Sequence, residues 1–310
     1  MSSGDTPAVA RRKVRLAIKD ARNAKGDTQT QVAEAMEWSL SKVMRIESGE
    51  VTISANDLRP LLSYLGIKDR RTVDDLVQAA KASKQRRQWW DESRYQGHLT
   101  PAMRQYISFE AEATSTRTFA PAAIPGWMQT EEYAHAVMQP FVEDLTSEVI
   151  SARSAIRTAR RNVLLKRNPR PSIYMVLDES VLLRNIGGDQ TTREQFTLIH
   201  SLIGEGWLHI RIHPMANPFA PFGHFDLLYL SPEESGHAVL YRESGTVDEI
   251  VDDETRIVRH RKAWDQMWDG SLDQENSTAR IARAAQLPRP AADAPDDSDD
   301  SGPVERGSSR

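Results

Sequence analysis

Residues 28–49 read TQTQVAEAMEWSLSKVMRIESG, and the spacing of apolar residues in this stretch decides the fold of the N-terminal third. Thr28 and Ser39 have side chains typical of helix N-caps, and the pair Ser48-Gly49 is a common helix ending. Four apolar residues would form a packed seam between two short amphipathic helices: Ala33, Met36, Val43 and Ile46. The stretch therefore predicts two helices joined by a tight turn at Glu37-Trp38.

The second predicted helix carries its polar side chains away from this seam. The outward-facing residues would be Ser39, Leu40, Ser41, Lys42 and Arg45. A helix that reads DNA needs this division, because apolar groups fix its angle while hydroxyls and cations reach base edges and phosphates. The spacing of the two helices is the one that lets the second enter a major groove. We therefore predict double-stranded DNA as the partner of this segment.

The charge of the chain is distributed unevenly. The 310 residues have a formal net charge of −4. Residues 1–88 nevertheless contain 17 Lys and Arg against 11 Asp and Glu, a net charge of +6, whereas residues 293–300 read DAPDDSDD. A basic first third and an acidic tail indicate that the electrostatic footprint of a nucleic acid lies near the N-terminus.

The composition excludes several classes of protein. There is no cysteine, so disulfides, thiol catalysis and cysteine zinc sites are absent. The N-terminal residues have no apolar stretch of signal-peptide length, and no run of about 18 apolar residues occurs. We expect a soluble cytoplasmic protein that needs no cofactor, binds no metal and does not enter a membrane.

The pattern along the chain predicts an α+β multidomain fold. Residues 9–84 would form an all-α domain of five helices, residues 89–286 a mixed α/β domain with a small sheet, and residues 287–310 a disordered acidic tail. Strands are predicted from β-branched and aromatic runs at 172–177, 208–213, 225–230 and 238–241. Residues 119–125 are predicted to be extended because of their prolines.

The first 68 residues resemble a Cro/CI-type (Xre-family) helix-turn-helix domain. The resemblance rests on TQTQVAEAM, on SLSKVMRIESG and on the helix ending at 64–67, YLGI. It implies a phosphate contact for Gln29, which also braces the recognition helix, and a phosphate contact for Lys42. It places base contacts at Leu40, Ser41 and Arg45. One position departs from the family pattern, because Glu37 stands in a turn that often carries glycine.

A second segment also resembles a known family. Residues 107–138, ISFEAEATSTRTFAPAAIPGWMQTEEYAHAVM, are similar to the part that joins a helix-turn-helix to the C-terminal domain in actinobacterial regulators. These regulators are described as antitoxin-like or developmental, and their C-terminal domain has no assigned chemistry. The resemblance implies autoregulation and, often, a small protein partner encoded nearby.

The residues of the predicted recognition helix differ in how specifically they point to DNA. Arg45 is the best candidate, since arginine bidentate to guanine O6 and N7 is the commonest base-specific contact. Lys42 would contact a phosphate or lie on a solvated surface, and Leu40 would touch a thymine methyl or close the helix end. Glu47 is expected to be structural, pairing with a basic residue of the first helix or a backbone amide, because a carboxylate facing phosphates would repel them.

Other groups of polar residues could suggest an enzyme. His209 and His213 share a strand face, with His224 and His237 expected on neighbouring strands, but no zinc-binding spacing is present. Two runs of acidic residues, Asp178-Glu179 and Asp252-Asp253-Glu254, could supply paired acid–base carboxylates, although solvated loop acids are the favoured interpretation.

The predicted C-terminal domain contains two further features of interest. Arginines and a lysine recur along one helix at Arg153, Arg157, Arg160, Arg161, Lys166 and Arg167. A solvated face is favoured for them, and an acidic partner or an extension of the DNA contact is the alternative. Trp89, Trp90, Trp127 and Trp207 are interpreted as core, although the loop 124–127 could line a pocket.

These observations favour a sequence-specific transcriptional regulator without enzymatic activity. A homodimer is expected, because one recognition helix buries too little surface for operator specificity, whereas two half-sites multiply it. The C-terminal domain would dimerise or sense a molecule or protein. Two alternatives stay open: an antitoxin that neutralises a small partner protein and regulates its own operon, and a helix-turn-helix fused to an unrecognised enzyme domain.

Overall fold

A computed structural model describes residues 7–84, 89–95, 97–139, 146–219, 223–230, 238–244 and 247–286. Within them a helical N-terminal region precedes an α/β domain with a mixed sheet, which confirms the predicted fold class. The tail at 287–310, predicted to be disordered, lies outside the described residues.

The N-terminal region consists, in the described residues, of one long helix and four shorter ones that begin at polar caps. The helices are α1 (Pro7–Lys25), α2 (Gln29–Ala35), α3 (Leu40–Ser48), α4 (Ala55–Tyr64) and α5 (Arg70–Ala82). The side chains of Thr28 and Ser39 accept hydrogen bonds from backbone amides at the starts of α2 and α3, as predicted. Ala33, Val43 and Ile46 are buried between these helices, and Met36 packs against them half-buried.

The turn between α2 and α3 contains a residue in the left-handed region. Glu37 has a φ of 55°, the positive value that glycine adopts at no steric cost. This conformation lets the Trp38 amide donate to the carbonyl of Ala33 at 2.8 Å, which closes α2. A glycine would adopt this φ freely, whereas Glu37 bears the strain of a Cβ there.

Replacing Glu37 by glycine is expected to raise the free energy of unfolding by a few tenths to about 1 kcal/mol, because relief of the strained φ outweighs the added freedom of the unfolded chain. Urea unfolding measures the change. Glu37→Ala is the matched control, since it removes the same carboxylate but keeps a Cβ at positive φ. Equal stabilities of the two variants would contradict this account.

The C-terminal domain alternates helices and strands. Its helices are α6 (Pro101–Glu110), α7 (Glu131–Met138), α8 (Ser147–Leu165), α9 (Glu179–Leu183), α10 (Gly188–Gly204), α11 (Glu254–Asp269) and α12 (Gln274–Ala284). Its strands are β1 (Ser115–Ala120), β2 (Ser172–Asp178), β3 (His209–His213), β4 (His224–Tyr229), β5 (Ala238–Ser244) and β6 (Val247–Val251). In the described residues these strands form one sheet of order β3-β2-β1-β4-β5-β6.

The pairing of the strands divides the sheet into two halves. β1, β2 and β3 are parallel, whereas β4, β5 and β6 pair antiparallel from β1 outward. The four predicted strand runs all lie in the sheet. β1 and β6 were not predicted as strands: β1 begins with the polar residues STRT, and β6, VDEIV, carries charges that an edge strand tolerates.

The two faces of the sheet are covered by different helices. Phe225, Leu227 and Tyr229 of β4 pack in the cluster that includes residues of α11. Leu228 packs on the opposite face, in the cluster shared with α6 and α8. Because side chains alternate along a strand, His224 and Asp226 also lie on the α6–α8 face, where the domain has its cavity.

Candidate nucleic-acid interface and C-terminal cavity

The outward face of α3 is open to solvent. Leu40 is 42% exposed, the Arg45 side chain is 55% exposed, and Ser41 is exposed. Ser39 is exposed as well, but its hydroxyl accepts a hydrogen bond from the Lys42 amide at 3.2 Å as the helix cap. The predicted DNA-contacting residues of α3 thus lie on one accessible helix surface.

Both cations of this surface have acidic neighbours. The Lys42 ammonium lies 3.2 Å from Oδ2 of Asp57 and 3.8 Å from the centre of the Trp38 ring. Nε of Arg45 lies 3.4 Å from Oε2 of Glu50. Such exposed ion pairs contribute at most about 1 kcal/mol, so a phosphate or a guanine could replace the carboxylate at little cost.

Met44 is a member of this surface that sequence reasoning missed. It is 49% exposed and lies one turn after Leu40 on α3, so that the two side chains form an apolar pair among polar neighbours. An apolar side chain at a base edge can contact a thymine methyl group. The helical spacing of residues 40 and 44 was the available signal.

A buried carboxylate fastens α3 to the other helices. Glu47 accepts hydrogen bonds from Nε of Arg22 at 2.6 Å and Nη2 of Arg22 at 2.9 Å. The side-chain amide of Gln29 donates to the same carboxylate at 2.8 Å. Glu47 is buried, and it therefore has the structural role that its position predicted. Gln29 links α2 to α3, whereas its phosphate contact stays a prediction.

A second buried carboxylate joins the N-terminal helices to the C-terminal domain. Asp252, just after β6, forms ion pairs with Arg12 and Arg15 of α1, and all three side chains are nearly fully buried. Burial opposes its ionisation, but hydrogen bonds and charge from Arg15, and the charge of Arg12, lower the pKa of Asp252. Nη1 of Arg15 also lies 3.5 Å from the backbone oxygen of Glu47. This arrangement, the Asp252 latch, therefore reaches from β6 to α3.

Two further contacts support this interface. The side-chain amide of Gln105 on α6 donates to the backbone oxygen of Ser48 at 2.9 Å. At the start of α1, the Ala8 amide donates to the Glu112 carboxylate at 3.1 Å, where a negative charge suits the helix dipole. The C-terminal end of α3 thus contacts the C-terminal domain, away from the exposed face of α3.

The prediction of a solvated face on α8 is wrong for the arginines, which are half-buried or buried, whereas Lys166 is exposed. Arg160 is buried and donates from Nε at 2.8 Å and from Nη2 at 2.7 Å to the carboxylate of Glu110 on α6. Nη1 of Arg161 donates to the Gln129 oxygen at 2.9 Å, and Arg167 donates to the Ala113 oxygen. The charged heads of these three arginines are satisfied by partners on other elements, so their stems can be buried.

A cavity of about 570 Å³ lies between α8, the start of α6 and the sheet. Arg153, Arg157 and Arg160 line it from α8, and Tyr241 from β5. Residues 124–126 of the loop predicted to border a pocket do line it, whereas Trp127 is buried in the core. Trp90 and Trp207 are core residues as well, with Trp89 half-buried against one cluster.

A histidine–aspartate pair lies beside this cavity. Nε2 of His224 lies 3.1 Å from Oδ2 of Asp226. The other oxygen of this carboxylate, Oδ1, accepts a hydrogen bond from the Thr118 hydroxyl. Burial favours neutral His224, but the charge and hydrogen bond of Asp226 outweigh it and raise the pKa of His224. Burial likewise opposes ionisation of Asp226, yet His224 and Thr118 lower the pKa of Asp226.

Replacing His224 by glutamine is expected to destabilise the fold by about 1–3 kcal/mol, most strongly between pH 4 and 6.5. The raised pKa means that protonated His224 contributes fully below its ordinary pKa of 6.5 and that the contribution is lost as pH rises through the folded value. The contribution of Asp226 is lost only below its ordinary pKa of 3.8. Urea unfolding over a pH series measures the difference. In an Asp226→Asn background the pH dependence should disappear, and its persistence there would contradict the pairing.

The histidines do not gather as predicted. β3 is an edge strand, and β2 and β1 separate it from β4, so His209 and His213 are not neighbours of His224. His213 is buried between the Phe219 oxygen and the Ser271 hydroxyl, and His209 stacks on Tyr174. His237 lies outside the described residues. Among the described residues no group of three His, Asp or Glu side chains has the arrangement of a metal site.

The acidic pairs have structural partners. Asp178 and Asp253 cap the starts of α9 and α11. Glu179 pairs with Arg280 and accepts from the Met215 amide, and Asp252 forms the latch described above. Solvated loop acids were the favoured prediction for these residues, and the structure instead gives each of these four a hydrogen bond or an ion pair.

Two family models match the chain. A domain of unknown function, DUF5753, matches residues 103–283, from α6 to α12. The chain belongs to this family. A model described as a helix-turn-helix domain matches residues 16–88, which include α2, α3 and the exposed face of α3. Comparisons with curated proteins and with solved structures give no match.

The matches and the geometry agree at a coarse level. The helix-turn-helix match supports DNA binding and a role as a regulator, with a C-terminal domain of no assigned activity. Among the described residues no helix has the length and hydropathy of a membrane span.

Proposed function

We propose that this protein is a cytoplasmic, sequence-specific transcriptional regulator without enzymatic activity, which reads the DNA major groove with α3 in the Cro/CI manner. The observation that carries the proposal is the exposed face of α3, held from behind by the buried carboxylate of Glu47. A recognition helix must present its side chains rigidly, because a loosely held helix loses the geometry of bidentate base contacts.

The geometry of α3 supports a division of labour in the bound state. Arg45 leaves Glu50 and donates to O6 and N7 of a guanine, while Ser41 and the apolar pair Leu40 and Met44 contact neighbouring base edges. Lys42 moves from Asp57 to a phosphate and helps to fix the register. Gln29, at the start of α2, contacts a phosphate of the DNA backbone.

Two copies of the chain would bind two half-sites. A single helix supplies few base contacts, and a dimer that spaces two recognition helices by one turn of DNA multiplies the specificity. The C-terminal domain contributes either dimerisation or the sensing of a ligand or partner, and the Asp252 latch connects it to α1. Occupancy of a promoter would then control transcription.

Binding to duplexes from the region upstream of the protein's own coding sequence tests the proposal. Arg45→Ala is expected to weaken specific binding by about 1–3 kcal/mol and to relax one base position. Lys42→Ala should weaken all duplexes alike and reduce the slope of log affinity against log salt by about one. Fluorescence anisotropy at several salt concentrations measures both.

Lys262→Ala is the matched control, since it removes an exposed cation from α11 in the C-terminal domain. It should leave affinity and salt slope unchanged. If wild type shows no salt-sensitive, sequence-selective binding, or if all three variants lose affinity equally, the proposed reading by α3 is wrong.

A further inference from the structure

The cavity of the C-terminal domain has the size and the lining of a small-molecule site. Its volume of about 570 Å³ lies within the range of ligand pockets, roughly 300–1,000 Å³. Met103, Ile124 and Ile156 give it apolar walls, and the arginines of α8 give it a basic side. Apolar walls with a few convergent polar groups are typical of sites for small organic ligands.

Arg157 is a cation of this cavity without a close counter-ion among the described residues. Within the described residues no carboxylate lies at ion-pair distance from it, and its buried Nε has no hydrogen-bond partner. Its Nη1 donates to the Arg153 backbone oxygen at 3.0 Å and approaches Sδ of Met138 at 3.7 Å. Burial and the like charge of Arg160 lower the pKa of Arg157 to about 10, although the more distant charge of Glu243 opposes them. A buried guanidinium with spare donors is costly unless an anion joins it.

A second guanidinium converges on the same place. A Cβ added at Gly126 would stand 3.3 Å from Nε of Arg157 and 3.6 Å from Nη1 of Arg160. Nε and Nη2 of Arg160 are engaged by Glu110, so Nη1 is the nitrogen that this pair leaves over. The glycine therefore keeps the loop clear of two guanidinium groups that border the cavity.

Two of the cations that line the cavity have a carboxylate at ion-pair distance. Arg160 is balanced by Glu110, and His224 is balanced by Asp226. Asp248 also lines the cavity, and its carboxylate accepts a hydrogen bond from the Thr100 hydroxyl at 2.6 Å. Arg153 and Glu243 are also in the lining and carry opposite charges. Arg157 is thus left without a carboxylate at ion-pair distance among the described residues, and a ligand carboxylate beside its Nε would supply one.

We propose that this cavity binds a small organic monocarboxylate with an apolar body, its carboxylate held by Arg157 and Arg160 beside Gly126. The apolar body then packs against Met103, Ile124 and Ile156. A neutral ligand of the same shape would leave the guanidinium of Arg157 buried without an anion, so the carboxylate is the group that selects the ligand. This inference rests on the proposed sensing role of the C-terminal domain and names a ligand class for it. Ligand binding is measured without DNA, so its failure would be distinguishable from a failure of the proposed DNA recognition.

Isothermal titration of the full-length protein with straight-chain carboxylates from hexanoate to dodecanoate, and with phenylacetate and 1-naphthoate, tests the proposal. We expect saturable binding of one molecule per chain for at least one carboxylate and binding about tenfold weaker for its neutral amide. Arg157→Gln should weaken carboxylate binding about tenfold and remove the preference over the amide. Gly126→Ala should weaken it as well, because its Cβ displaces the guanidinium groups.

Two matched controls separate this effect from general damage to the domain. Lys166→Gln removes an exposed charge at the end of the same helix, outside the cavity, and Gly204→Ala adds a methyl group where nothing lies within 4 Å. Both should bind like wild type, and the unfolding midpoint of each variant checks that it is folded. No saturable binding by any member of the series, equal binding of acid and amide, or equal losses in the controls would overturn the proposal.

Discussion

Replacing Glu47 by alanine is expected to lower the free energy of unfolding by about 3–5 kcal/mol and to abolish sequence-specific DNA binding. The carboxylate is buried and accepts hydrogen bonds from Arg22 on α1 and Gln29 on α2, so its loss leaves a guanidinium without its partner and unfastens α3. Urea unfolding measures the stability, and anisotropy with a specific duplex measures the binding.

Glu50→Ala is the control for this experiment. Glu50 also carries a carboxylate next to α3, but it is exposed and pairs only loosely with Arg45. Its removal should change stability little, since exposed ion pairs contribute little, and specific binding should persist. If Glu47→Ala remained as stable as Glu50→Ala and still selected the same duplex, α3 would be held by something other than this carboxylate.

Replacing Asp252 by alanine is expected to lower the free energy of unfolding by as much as Glu47→Ala does, by weakening the contact between the two domains. Arg12 and Arg15 would be left buried without a counter-charge, at a cost of about 3–5 kcal/mol. We expect amide hydrogen exchange in α1 to accelerate, while α10, which lies far from the latch in the chain and packs with α12, keeps its protection. The free energy of unfolding should fall accordingly.

Asp75→Ala provides the matched comparison. Asp75, on α5, pairs at 2.9 Å with Lys13, which lies on α1 as Arg12 and Arg15 do, but the side chains of Asp75 and Lys13 are both exposed. Exchange in α1 should therefore change far less than in Asp252→Ala. Similar exchange in both variants would show that the latch does not connect the domains.

The helix-turn-helix was predictable because its determinants are local. Caps, a seam with helical spacing and an outward polar face all lie within residues 28–49, and each is recognisable without knowledge of the rest of the chain. The structural role of Glu47 followed from charge alone, since a carboxylate cannot face phosphates. Glu37 stands where the resemblance leads one to expect glycine, and the structure gives it the positive φ that glycine adopts freely.

The C-terminal domain was predicted less completely because its determinants are distant in sequence. Arg160 looks like a surface residue until Glu110, 50 positions earlier, is placed against it. Asp252 finds its partner Arg15 across 237 positions. β1 lies at the centre of the sheet, yet four of its six residues are polar, so alternation did not reveal it. Spacing within a segment carries no information on such pairings.

Selection of bound duplexes from a random pool tests the central claim most directly, because it reports which base positions α3 reads. The account predicts that wild type enriches a two-fold symmetric motif and that Arg45→Ala enriches the same motif with one guanine position per half-site relaxed. A pool that shows no enrichment, or an Arg45→Ala motif identical to that of wild type at every position, would contradict reading of DNA by this helix.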